Sequence, residues 1–298
     1  MAIIICAFSC RKDDTSSDTS TSEGGSGSSS GSSTSTSSST AQYTQNSTLD
    51  TYTALWCHAC PQADDNTKQL INTYGSRLIP ISIHNPAYGA SNPDVLSFPN
   101  DAALTTFVNK FLVPRSGGLP TQILNRTGDM SGAISSNQVA ALLTKPSSVG
   151  LAISSQLDGQ TLAITVKYRF AKPMSGSKLA VYVLEDGIAL AHANLDGSTN
   201  SNYVNDNVLR TFVTDPLGIT IPANTAAAQY NTTFKVNVLS QPIPHPIADT
   251  GFPSQTATPA WVTKNLKIVA MVVDSKNSLL NAQQAKVGQT QDFQIVTP

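Results

Sequence analysis

Apolar positions along this chain recur with two different periods, and the change falls near Lys145-Pro146. Before it, strand and helix patterns alternate. Residues 46–54, NSTLDTYTA, have strand character, rich in Thr around Leu49 and Tyr52. From Pro61 onward, Ala63, Leu70, Ile71 and Tyr74 suit one face of a helix that ends at Gly75. Pro61 fits the first turn, where a missing amide donor costs no internal hydrogen bond. LIPISI, residues 78–83, is an apolar run of strand length. Leu104, Phe107, Val108, Phe111 and Leu112 then return at helical spacing, with Asn100 or Asp101 as the cap. A strand, QILN, and a helix over 136–144 carrying Val139, Leu142 and Leu143 inward complete this stretch.

Beyond Pro146 the helical spacing disappears. Residues 151–170, LAISSQLDGQTLAITVKYRF, form two alternating runs around Asp158-Gly159, a hairpin signal. KLAVYVLEDG, VLRTFVT, TTFKVNVL, NLKIVAMVVD and DFQIVTP continue the series. Short strands separated by polar loops predict an all-β, immunoglobulin-like sandwich without the inter-sheet disulfide of antibody domains. The loop over 195–208, LDGSTNSNYVNDNV, is rich in oxygen ligands. Such loops can hold calcium, but Asn, Asp and Gly are also the common turn formers, and no ligand spacing is regular. It is read as a plain loop. QPIPHPIADTGFP is read as an extended edge or crossover.

The first residues change the picture more than the overall composition does. Ala2 to Phe8 is an apolar run far shorter than the roughly 20 residues a spanning helix needs, and it suits an export signal. Ala7-Phe8-Ser9-Cys10 resembles a bacterial lipobox, which implies that Cys10 carries lipid and that residues 1–9 are removed. The plainer alternative is an ordinary export signal with a chance cysteine. Arg11-Lys12-Asp13-Asp14 follows; Lys12, Asp13 and Asp14 resemble the surface-export signal of Bacteroidetes lipoproteins. Residues 15–40 are almost wholly Ser, Thr and Gly, with no apolar surface to offset ordering. With about 30 residues, such a tether reaches roughly 30 Å. The implied partner is the outer membrane, held through lipid on Cys10, with the body at the cell surface. Net charge is −1 and no basic patch is interleaved with aromatics, so nucleic acid is not expected as a partner.

The chain has four cysteines, and with Cys6 and Cys10 assigned to the leader the body keeps Cys57 and Cys60. Exported pairs of this kind form disulfides. The order is strand, Trp56-Cys57-His58-Ala59-Cys60-Pro61, helix, strand, helix, Gly118-Leu119-Pro120-Thr121, strand, helix. That order, with its two motifs, resembles the thioredoxin fold. The resemblance implies a cis bond before Pro120 and a place for that proline beside the cysteine pair. Cys57 at a helix start would be stabilised as thiolate by unpaired amides and the helix dipole, and a protonated His58 beside it would add positive charge. Cys57 is then the attacking sulfur and Cys60 the resolving one. Trp56 and the backbone of Leu119 border the place where an extended protein or peptide substrate would pair. Thioredoxins carry a buried acid six positions before the first cysteine; here that position is Thr51, and Asp50 points to the opposite side of the strand. A passive disulfide remains an equal reading. Neither a metal nor a cofactor is expected: His58, His84, His192 and His245 are scattered, without a second ligand pair at finger-like spacing.

Several phrases together resemble the outer membrane protein 28 family of Bacteroidetes lipoproteins. They are Cys57-His58-Ala59-Cys60-Pro61, Ser82-Ile83-His84, Gly118-Leu119-Pro120-Thr121, Val181-Tyr182-Val183-Leu184-Glu185-Asp186 and Asn207-Val208-Leu209-Arg210. The expected organisation is a signal segment at 1–9, a lipid-anchored tether at 10–40, an α/β thioredoxin-like domain at 41–146 and an immunoglobulin-like β-sandwich at 147–298. Two functions stay open: thiol–disulfide exchange through Cys57 and Cys60, or surface binding by the sandwich with a structural disulfide.

Overall fold

The computed structural model describes residues 41–84, 94–97, 102–114, 118–127, 133–222, 226, 228–244 and 257–296. The expectations for Cys10, Lys12, Asp13, Asp14, the Ser/Thr/Gly tether, the caps Asn100 and Asp101, and His245 lie outside these residues. What is described is mostly β with few helices and open sheets.

The first stretch builds β1 (Ser47–Thr53), α1 (Cys60–Tyr74), β2 (Leu78–His84), α2 (Ala102–Phe111), β3 (Thr121–Leu124) and α3 (Ser136–Leu142). Strands β1 and β2 pair in parallel from Ser47↔Leu78 to Thr53↔His84, and β3 runs antiparallel to β1. Every residue of β1, β2 and β3 is buried. That is why LIPISI reads as a continuous apolar run: both of its faces are covered. Gly75 sits at φ 55°, where it ends α1 with its amide on the Ile71 carbonyl. Ser135 and Gln138 form a reciprocal capping box at the start of α3.

The second stretch supplies β4 (Val149–Asp158), β5 (Thr161–Phe170), β6 (Lys178–Glu185), β7 (Val208–Phe212), β8 (Gln229–Asn237), β9 (Leu266–Val273) and β10 (Leu279–Lys286). The hairpin at Asp158-Gly159 forms as the pattern predicts. Among the described residues of DFQIVTP, Ile295–Val296 form a strand, paired with Gln42–Tyr43. Strand β10, LLNAQQAK, has no clear apolar alternation, yet it pairs along the length of β9.

The strands after Pro146 do not all keep to sheets of their own. One eight-stranded sheet runs β10-β9-β6-β7-β2-β1-β3, with Ile219–Thr220 pairing β6 off this path. It joins the two stretches where β7 meets β2 in parallel at Val208↔Ser82. Without that pairing β2 would present an open edge of unpaired amides and carbonyls. A separate three-stranded sheet, β8-β5-β4, packs against one face of β6 and β9. Helix α2 covers the opposite face: Leu104, Phe107 and Phe111 meet Tyr182, Leu184, Leu209, Val269 and Met271. A helix from the first stretch therefore packs on strands of the second. Leu49, Leu70, Leu78, Leu124, Val139 and Leu143 close a smaller core between β1–β3 and helices α1 and α3.

A buried polar group ties the stretches together under α2. Asp50 points into this core, on the face of β1 opposite Thr51. Arg126 Nε lies 3.2 Å from Asp50 Oδ2, with both side chains fully buried. Arg126 Nη2 donates to the Tyr182 hydroxyl at 2.8 Å, and that hydroxyl donates to the Pro216 carbonyl. The guanidinium lies 5.1, 5.5 and 5.2 Å from the ring centroids of Phe107, Phe111 and Tyr182. Burial pushes the Tyr182 hydroxyl up to about 12, against the pull of Arg126.

Candidate functional site: a disulfide at a helix start

Cys57 and Cys60 are joined by a disulfide at the start of α1. The Cys57 amide closes a turn on the Ala54 carbonyl, and the Cys60 amide closes the next on Cys57. No side chain caps α1, whose first turn holds no acid. The positive end of the α1 dipole favours an anion such as a thiolate at the cysteine pair. Cys57 is 5% exposed and Cys60 0%, while His58 beside them is exposed. Half-buried Trp56 and Leu119 pack on the pair together with Ala54. The Leu119–Pro120 bond is cis, and Thr121 Oγ1 donates to the Gly118 carbonyl at 2.7 Å. Cys57, Cys60, Trp56 and Leu119 thus come together. Among the described residues no group of three or more His, Cys, Asp or Glu could hold a metal ion.

A neutral network joins β1, β3 and α1. Thr51, in the position of the missing acid, pairs across the sheet with Gln122. Gln122 Nε2 donates to Thr67 Oγ1 at 2.9 Å, the Ala63 carbonyl at 3.2 Å and Thr51 Oγ1 at 3.4 Å.

Sequence reasoning missed the groups that hold the loop leading into Cys57. Asp94 is fully buried. Its Oδ2 accepts the Leu55 amide at 3.0 Å and lies 2.8 Å from His84 Nδ1, while Oδ1 accepts the Leu96 amide at 2.9 Å. From the other side, the Ala193 amide donates to the Leu55 carbonyl at 2.9 Å. Beside Ala193, His192 is fully buried, and its ring lies 4.6 Å from that of Tyr203. Tyr203 donates to Asp64 Oδ2 at 2.5 Å, reaching from the oxygen-rich loop onto α1. Burial raises the Asp64 carboxyl, opposed by the Tyr203 hydrogen bond and by His84 and His192. Burial likewise lowers His192, and it raises Tyr203, with Asp64 adding to the rise. No local signal in that polar loop marks Tyr203, because its partner lies 139 positions away.

The remaining phrases singled out in the sequence build the seam instead. The Ser82 amide donates to the Asn207 carbonyl at 2.8 Å, and Asn207 donates its own amide to Asp186 Oδ1 at 2.8 Å. Lys267 Nζ bridges Asp186 at 2.7 Å and Asn207 Oδ1 at 2.5 Å. Buried Glu185 lies 3.4 Å from Arg210 Nη1 and accepts the Val262 amide at 2.8 Å. Burial raises Glu185 and lowers Arg210.

These features define a mostly β protein of open sheets that carries a disulfide at a helix start beside a cis-proline loop. The family described as outer membrane protein Omp28 has a model that matches residues 113–243. The matched span takes in Pro120 and the seam phrases at 181–186 and 207–210, and begins after the cysteine pair. No curated protein matches the chain. Among solved structures, HBP35 of Porphyromonas gingivalis is similar with a TM-score of 0.59 and 16% identity, over 87% of this chain and 81% of that one. At that identity the likeness speaks for the fold alone. Protein AGR_C_4864 of Agrobacterium tumefaciens aligns over 84% of this chain and 97% of its own, with 15% identity and a TM-score of 0.44, too distant to carry an argument.

Proposed function

We propose that the chain is an outer-membrane lipoprotein, anchored by lipid on Cys10 and displayed at the cell surface, that exchanges thiols and disulfides through Cys57 and Cys60. In this reading residues 41–146 are a thioredoxin-like unit. Residues 147–298 are an immunoglobulin-like unit whose β6, β7, β9 and β10 extend the first unit's sheet. The observation that carries the reading is the Cys57–Cys60 bond at the uncapped start of α1, with Leu119 of the cis-proline loop packed on it. Helix-start amides stabilise a thiolate, and a stabilised thiolate makes a disulfide more oxidising. Cys57 is the sulfur that exchanges with a protein or peptide substrate, and Cys60 resolves the mixed disulfide. Trp56 and the Leu119 backbone flank the approach. A Cys60→Ser variant should therefore accumulate a mixed disulfide at Cys57 when offered a disulfide-containing peptide, reversed by dithiothreitol. A variant that stays free of adduct would refute the reading.

A second reading is favoured by the burial of both cysteines: the disulfide is a staple in a surface binding protein. Retention of a surface ligand by the full chain, unchanged when both cysteines are replaced by alanine, would support it. The anchor has its own test. Cys10→Ala should move the protein from the membrane to the soluble fraction, and Lys12, Asp13 and Asp14 replaced by alanine should leave it membrane-bound but shielded from protease on whole cells.

A further inference from the structure

Exchange through a cysteine pair needs a base. The resolving thiol has to lose its proton before its sulfur attacks. The position behind the pair cannot supply one, because Thr51 and Gln122 are neutral and bonded to each other. The nearest acid along the helix is Asp64, which follows Cys60 by four positions on α1. Residues at that spacing share a helix face, with Cβ atoms about 6 Å apart.

Asp64 is set into a built environment. Tyr203 donates to its Oδ2 at 2.5 Å. Behind Tyr203, His192 Nδ1 lies 2.8 Å from the Ala193 carbonyl, which assigns the proton to Nδ1 and leaves Nε2 a bare, buried acceptor. The charged and titratable groups around Asp64 are Asp65 and Lys68 on its own helix, His84 on β2, Asp94, His192, Tyr203 and Asp206. A cleft of about 70 Å³ adjoins it, lined by polar groups that include Asp64, Lys68, Ser82 and Asn207 and by apolar Ile71 and Val204. That is room for water, which needs a space of only about 10–15 Å³ by the same measure.

We propose that Asp64 is the proton acceptor and donor of the Cys57–Cys60 centre, moving the Cys60 proton to solvent through the adjoining cleft. The assignment rests on the thiol-exchange reading. In the direction that reduces a substrate, the Cys57 thiolate attacks one substrate sulfur. The substrate S–S bond breaks and the second substrate sulfur leaves as thiolate. Cys60 S–H gives its proton to the Asp64 carboxylate, and the Cys60 thiolate attacks Cys57 Sγ. The mixed disulfide breaks, the first substrate sulfur leaves with its electron pair, and the Cys57–Cys60 bond is restored. Two thiols are oxidised and one substrate disulfide is reduced. The Asp64 proton passes to water and on to a leaving thiolate. The reverse direction uses the same groups, with Asp64 protonating departing Cys60. Burial, which raises this carboxyl, brings its proton affinity closer to that of a thiol and so favours the transfer.

The test uses the full chain in detergent, reduced and then mixed with 5,5′-dithiobis(2-nitrobenzoate). Attack by Cys57 releases one chromophore, and resolution by Cys60 releases the second. The wild type should release both. Asp64→Asn should keep the first phase and slow the second about 100-fold at neutral pH, within the range of general-base effects. Its second phase should then rise with pH as a lone thiol ionisation. Tyr203→Phe keeps the carboxylate and removes its hydrogen bond, so it should move the second-phase profile to higher pH; it serves if Asp64→Asn fails to fold. A second phase with wild-type rate and pH profile in Asp64→Asn, or an unmoved profile in Tyr203→Phe, overturns the assignment alone. A wild type that releases no chromophore overturns the exchange reading, and the assignment with it.

Discussion

Replacing Arg126 with Met tests the claim that the two stretches of chain share one interior. The guanidinium is fully buried, ion-paired to Asp50, bonded to Tyr182 and enclosed by three aromatic rings. Met fills similar space and keeps the apolar contacts, but leaves the Asp50 charge without its cation in the interior. Breaking one side of a buried ion pair costs about 3–5 kcal/mol. At about 2–4 °C per kcal/mol for a body of this size, the melting temperature should fall by roughly 6–20 °C. Replacing both partners with apolar residues often costs little, so Asp50→Leu added to Arg126→Met should recover most of the loss. The assay is urea unfolding followed by circular dichroism, arranged as a double-mutant cycle. Because Tyr182 belongs to β6 and Asp50 to β1, the single variant should lower one shared transition for both stretches. A loss under about 1 kcal/mol, a double variant no better than the sum of the singles, or two separate transitions would refute the reasoning.

Asp94→Ala removes acceptors from two buried amides and from His84, and should cost about 3–5 kcal/mol. Hydrogen exchange at Leu55 should accelerate, and an unchanged rate there would show that Asp94 does not hold the loop. Asp64→Asn makes a signed prediction. Its carboxyl is raised in the fold above the ordinary 3.8, so the stability linked to its proton is present at low pH and lost as pH rises through the folded value. Asn keeps an acceptor for Tyr203 and carries no charge, so the variant should be the more stable at pH 7.5 and match the wild type below about pH 3.5. Urea midpoints at the two pH values check this, and a variant less stable at pH 7.5 contradicts it. His192 is lowered by burial, so it should destabilise the fold as pH falls from about 6.5 through its folded value. His192→Gln should flatten that part of the stability curve, and an unaltered curve would contradict the account.

The parts of the fold legible from sequence are those written in local chemistry. Pro61 and Gly75 bracket α1, Gly159 turns the β4–β5 hairpin, and Leu104, Phe107 and Phe111 give α2 its inward face. The disulfide between Cys57 and Cys60 and the cis bond before Pro120 were legible because they are written in two short motifs. Strand β10 was hidden because polar residues occupy its buried positions. Asn281 is 3% exposed, yet it accepts the Asn46 amide and donates to the Thr44 and Val149 carbonyls. Those bonds satisfy its amide inside the protein, so the apolar alternation that marks a strand never appears. The seam was hidden for a different reason. Val208 pairs Ser82 across a long separation, and periodicity reports only a residue's own element. The phrases at Val181–Asp186 and Asn207–Arg210 do the work of joining sheets, through Asp186, Asn207 and Val208. Asp94, His192 and Tyr203 carry no local signal because their partners come from other elements.

The most direct test of the thiol-exchange centre is the reduction potential of Cys57–Cys60 in the full chain, measured by equilibration with glutathione buffers and counting free thiols. Thiolate stabilisation at the α1 start predicts a value between about −270 and −120 mV, the span of exchanging pairs. A value below about −300 mV would mark a structural bridge and contradict the account.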